Sequence, residues 1–102
     1  MKLILVYVTN PTKKEALKVA NHLVEKKLIG CANIFPVDSI YRWEGKIAHQ
    51  KEFVFIAKTK EANFVKIKKE VKRIHSYSVP CVIKIPACAG DKYYSWLGSV
   101  IE

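Results

Sequence analysis

The strongest constraint on how this chain can fold is a long β-type stretch, from about Cys31 to Lys58, that carries one clear turn signal. Ser39-Ile40-Tyr41-Arg42-Trp43 runs into Glu44-Gly45-Lys46, where the glycine can take the positive φ of a tight hairpin, and Glu52 to Lys58 supplies the returning arm. Pro36 in the first arm has no N–H to give a ladder, so a bulge or a sheet edge is expected there. A hairpin this long cannot bury itself, and the rest of the sequence must supply its cover.

The flanking segments do so in a recognisable order. Leu3 to Val8 is apolar and β-branched with little alternation, the pattern of a strand central in a sheet. Pro11 marks a helix start, with either Asn10 as N-cap and Pro11 at N1, or Thr12 as N-cap and Glu15 reaching back. Ala16, Leu17, Ala20, Leu23, Val24 and Leu28 form the expected core stripe, and Gly30 is expected to end the helix. A second helix is predicted from about Glu61 to His75, with Phe64, Ile67, Val71 and Ile74 on one face. After Ser76-Tyr77-Ser78-Val79-Pro80, Cys81 to Ile85 reads as a short strand closed by Pro86. Asp91 is expected to cap a last helix carrying Tyr93, Trp96, Leu97, Val100 and Ile101. The sum is an α+β, ferredoxin-like β-α-β-β-α-β arrangement with a C-terminal helix, expected to be one domain over residues 1–102. Helices cover one face of such a sheet. Phe35, Tyr41, Trp43, Phe53 and Phe55 predict that the other face meets a ligand or another subunit, since solvating so much apolar surface is costly.

With 102 residues the core is small, so assembly is an expected source of stability. The excess of 18 Lys and Arg over 9 Asp and Glu, a formal charge of +9, raises nucleic acid as a partner. The strand Lys51 to Lys58 has alternating aromatics but lacks the glycine of an RNA-binding RNP1 strand, and Glu52 lies where a phosphate backbone would pass. Nucleic acid is therefore not expected; Phe53 and Phe55 read as core or interface, and the helical lysines as a solvated surface. No catalysis is expected either. The loop Thr9-Asn10-Pro11-Thr12 offers no Gly or Arg to cradle a phosphate, and no nucleophile elbow, Walker A or G-x-G-x-x-G sequence occurs. The odd set Cys31, Cys81 and Cys88, without a Cys-x-x-Cys, reads as reduced thiols of a cytoplasmic protein. The first apolar run stops at Thr9-Asn10-Pro11 with no small-residue cleavage site, so no signal peptide or membrane insertion is expected. Among His22, His49 and His75, only His75 falls near a cysteine, Cys81, and the two form a candidate metal pair for which Cys31 is a further thiol. The competing roles are a helix C-cap for His75 and a small hydrophobe for each cysteine.

Gly30-Cys31-Ala32-Asn33-Ile34, Ile40-Tyr41-Arg42-Trp43-Glu44-Gly45-Lys46-Ile47, Lys58-Thr59, His75-Ser76-Tyr77-Ser78-Val79-Pro80 and Tyr94-Ser95-Trp96-Leu97 follow one another as in the CutA family of divalent-cation-tolerance proteins, which the chain resembles over nearly its whole length. The resemblance implies a subunit similar to the PII signalling proteins that forms a homotrimer through its long hairpin and sheet edges. It also implies a non-enzymatic role in the response to metal ions, with copper or another divalent cation as the ligand. The chain departs from copper-binding members. Val8 stands where they have Cys, Ile74 replaces one His of a His-His pair, Ser76 replaces Pro, and Cys81 replaces Glu. His75 and Cys81 remain as the implied metal contacts, Cys81 as a softer donor suited to Cu(I). Tyr41, Trp43, Lys58 and Tyr77 are the motif residues expected to line an intersubunit pocket. The alternative expectation is a PII-like sensor that binds a small anionic metabolite between subunits, with Lys58, Lys46 and Arg42 supplying charge.

Overall fold

The computed structural model describes residues 1–102, and strands β1 (Leu3–Asn10), β2 (Cys31–Trp43), β3 (Lys46–Lys60) and β4 (Val82–Pro86) form one antiparallel sheet in the order β2-β3-β1-β4. Helices α1 (Lys13–Glu25) and α2 (Phe64–Ile74) connect the strands, and α3 (Asp91–Val100) follows them. This is the ferredoxin-like strand order expected of the sequence pattern.

The hairpin turns on two residues, Glu44 at φ 50° and Gly45 at φ 76°, which lets Trp43 face Lys46. Two successive positive φ values match the twist of the arms, and only glycine takes one without strain. The register then holds unbroken from Trp43–Lys46 to Cys31–Lys58, so Pro36 sits opposite Phe53 with no bulge. The edge half of the expectation fits instead, because β2 is an outer strand and tolerates a proline without distorting the ladder. The second arm begins at Lys46, six residues earlier than the apolar pattern indicates, because polar residues of β3 pair in a region no helix covers. Within β3, β1 pairs only with Phe53 to Lys60, so residues 37–52 project past the rest of the sheet and give the molecule its 45 Å length against 24 and 21 Å.

The core lies between one sheet face and α1 and α2. Val6 and Val8 of β1 and Phe55 and Ala57 of β3 meet Ala16, Val19, Ala20 and Leu23 of α1 and Ile67 and Val71 of α2, with Phe53 packed at the margin. Phe53 and Phe55 therefore belong to the helix-covered face and not to the open one. The α1 stripe is rotated from its expected position: Val19 is fully buried, while Leu17 and Val24 are 51% and 41% exposed. Each lies one residue, about 100° of helix, beyond a buried neighbour.

Thr12 is the N-cap, accepting from the Glu15 amide at 3.1 Å. The Glu15 carboxylate does not return to it, because Ser76 takes that carboxylate instead, from its amide at 3.1 Å and its hydroxyl at 2.8 Å. α1 ends well before Gly30. Lys27 takes φ 59°, its amide bonds Val24 O and the Leu28 amide bonds Leu23 O, a Schellman closure built on a lysine. Gly30 serves packing: a Cβ there would lie 2.2 Å from Leu97 Cδ1 and 3.2 Å from Val100 Cγ2 of α3. At α3 the N-cap is Gly90, and Asp91 stands in the first turn as a charge suited to the helix dipole without capping it. Pro86, expected to close β4, is its last residue, opposite Ile4. No helix is long and apolar enough to cross a membrane.

α1 and α2 are also clipped together outside the core. Glu70 Oε1 lies 2.8 Å from His22 Nε2, and Arg73 Nε donates to Glu70 Oε2 at 3.1 Å. The Arg73 guanidinium first, and His22 second, hold the Glu70 carboxyl down at about 2 from its ordinary 4.5. A depressed carboxyl stabilises the fold fully above the unfolded value and loses that contribution as pH falls through the folded one. We expect wild type and Glu70→Gln to differ in urea midpoint above pH 4.5 and to converge toward pH 2, the window set by those values. An offset that persists at the acid end would assign Glu70 a packing role.

Candidate functional site

Alternation along the strands puts Leu5 and Tyr7 of β1, Phe35 and Val37 of β2, Ile56 of β3 and Ile83 and Ile85 of β4 on the sheet face that α1 and α2 leave open. α3 covers one end of this face, where Leu97 is buried and Cys31 Sγ lies 3.2 Å from Tyr93 Oη. The Cys31 thiol beside it pushes the Tyr93 phenol up to about 12. At the other end β1 stops, the hairpin continues, and the loop after α2 folds against it.

Between hairpin and loop lies a groove of about 700 Å³, lined by Thr9, Asp38, Tyr41, Trp43, Glu52, Tyr77 and Cys81 among others. Its floor is polar. Tyr77 Oη donates to Glu52 Oε2 at 2.7 Å, Gln50 Nε2 donates to Tyr77 Oη at 3.3 Å, and Tyr41 Oη donates to Gln50 Oε1 at 2.5 Å. Burial chiefly, and then the Glu52 carboxylate, push the Tyr77 phenol well above its ordinary range, so it acts here as a neutral donor. Glu52 itself is only 6% exposed.

The structure brings Tyr41, Trp43, Tyr77 and Cys81 to this groove. Lys58 lies elsewhere, opposite Cys31 and bonded to Asn33, and neither Lys46 nor Arg42 lines the groove. His75 lies behind it with a fully buried side chain. Its Nε2 bonds the Thr9 carbonyl at 2.8 Å and its Nδ1 accepts from the Tyr77 amide at 3.0 Å, a pattern that fits the Nε2–H tautomer. Glu15 Oε2 is a further 3.3 Å neighbour of Nδ1. Burial pushes the Cys81 thiol up. No three His, Cys, Asp or Glu side chains converge to hold an ion, and both His75 nitrogens are engaged, so His75 and Cys81 do not make a preformed resident metal centre.

Sequence reasoning passed over Glu52 and Gln50 as site residues. The available signal was Glu52 itself: a carboxylate opening an otherwise apolar run, Phe53 to Ala57, is out of place on a buried strand unless something pairs with it.

Comparison with known proteins covers nearly the whole chain. The family described as CutA1 divalent ion tolerance protein matches residues 4–100. The divalent-cation tolerance protein CutA of Archaeoglobus fulgidus is 43% identical over 98 residues, spanning 95% of this chain and 96% of that protein. Among solved structures, the periplasmic divalent cation tolerance protein CutA from Archaeoglobus fulgidus superposes with a TM-score of 0.95 at 40% identity, covering 98% of this chain and 99% of its own. CutA1 from Oryza sativa gives 0.96 at 38% identity, covering 100% and 95%.

Proposed function

The chain belongs to the CutA1 divalent ion tolerance family, and on that premise we propose that it is a non-catalytic, cytoplasmic, homotrimeric protein of cation tolerance whose working part is the groove at the hairpin base. The observation that carries this reading is the open sheet face, where Ile83 and Ile85 are 51% and 41% exposed and the projecting hairpin adds Tyr41 at 37% and Trp43 at 49%. Apolar surface of that extent is typical of a subunit interface. A neighbour on it closes the mouth of the groove. The three unpaired cysteines support a reducing compartment.

In this reading copper is cargo and not a resident centre. Cys81 is the contact, because its thiol lines the groove and thiolate suits Cu(I). His75 joins as second donor only on releasing Thr9. Light scattering of the full chain is expected to give the mass of three subunits. In Cu(I) titrations against a chromophoric chelator, Cys81→Ser is expected to weaken binding by about a hundredfold while Cys88→Ser leaves it unchanged, since losing a soft ligand removes most of a two-donor site's affinity. Equal affinity in wild type and Cys81→Ser rules the copper contact out; a single-chain mass at micromolar concentration rules out the trimer.

A further inference from the structure

The groove's own chemistry selects more narrowly than cation tolerance requires. The inference rests on taking that groove as the working site. Glu52 is 6% exposed, its one hydrogen-bond donor is Tyr77 Oη, and no Lys, Arg or His nitrogen forms an ion pair with it. This isolation is unexpected in a chain with 18 Lys and Arg, none of which lines the groove. A buried carboxylate lacking a counter-charge is costly and favours any cation that can reach it. Tyr41, Trp43 and Tyr77 line the groove with Glu52, and aromatic rings attract positive charge to their faces. The volume, about 700 Å³, is that of a small-molecule site.

We propose that this groove binds an aliphatic ammonium cation, with the Glu52 carboxylate as its counter-ion and the Tyr41, Trp43 and Tyr77 rings as its walls. A hard divalent ion suits the groove poorly, because it requires six or so oxygen ligands and no three acidic, His or Cys side chains converge. Metabolite anions meet the Glu52 carboxylate and no Lys or Arg. An alkylammonium head needs one anion and aromatic faces, and its alkyl tail finds Val79 on the rim.

Calorimetric titration of the full chain with butylammonium chloride, against sodium butyrate as the anionic control, tests this. Saturable butylammonium binding at millimolar concentration is expected, weakened by about tenfold or more in Glu52→Gln and largely recovered in Glu52→Asp, because the counter-charge and not the chain length is decisive. No saturation in wild type, equal affinity in Glu52→Gln, or preferential butyrate binding overturns the proposal. So does a Glu52→Gln variant that loses assembled mass while wild type binds no amine, since the groove then holds a cation from a second copy. Cys81→Ser separates this inference from the copper reading: it is expected to bind butylammonium normally, so amine binding with no Cu(I) binding sinks only the copper contact, and the reverse sinks only the ammonium site.

Discussion

Replacing His75 with alanine is expected to cost about 2 to 4 kcal/mol in chemical unfolding, more than the loss of one surface polar group, because it orphans buried partners on two elements and leaves a cavity. The ring carries the Thr9 carbonyl at the end of β1 and the Tyr77 amide in the loop after α2, and its side chain is fully buried. Without it Tyr77 loses the anchor that aims its hydroxyl at Glu52. His75→Gln, which keeps an N–H able to reach Thr9, is expected to recover part of the loss. A variant as stable as wild type would show that the ring is not the strut between β1 and the α2 loop.

His75 also marks where the sequence stops being legible. Its place at the end of a helix follows from periodicity, and its backbone amide does close α2 on Val71 O. The partners of its ring lie 66 residues away on β1 and two residues along the loop, and only the fold brings them together. The sheet order, the hairpin and the α2 face were readable because each rests on local periods of 2 or 3.6 and on one glycine turn. Helix ends were less so: Lys27 accepts the left-handed conformation that Gly30 was expected to supply, and Gly30 answers to Leu97, distant in sequence. The pocket was partly legible for a similar reason. Tyr41, Trp43 and Tyr77 fall together because hairpin and loop meet, whereas Lys58 lies on the β3 half that pairs with β1, at the far end of the open face. Glu52 was visible in the sequence only as an obstacle to RNA binding; its isolation from every lysine and arginine needed three dimensions.

Charging the open sheet face is expected to have the largest effect of all: Ile83→Glu combined with Ile85→Glu should convert a three-chain particle to single chains at micromolar concentration. The two isoleucines flank Lys84, which turns the other way, toward Glu61 at 2.7 Å and the Phe64 ring, so β4 presents only its alternate residues to the open face. In the proposed trimer the double substitution places six carboxylates at the buried interface, and truncating or burying unpaired charge there costs about 2 to 5 kcal/mol per site. Such a sum exceeds what a subunit contact of ordinary size supplies. The fold of each chain should survive, because both positions are 41% or more exposed in the isolated subunit and lie outside the core between sheet and helices. Val65→Glu is the control. Val65 is 55% exposed on α2, as apolar as the target residues, but on the side of the molecule that faces away from the open sheet. Light scattering that shows three chains for the β4 variant and one for Val65→Glu would move the interface to the helices and with it the wall that closes the groove.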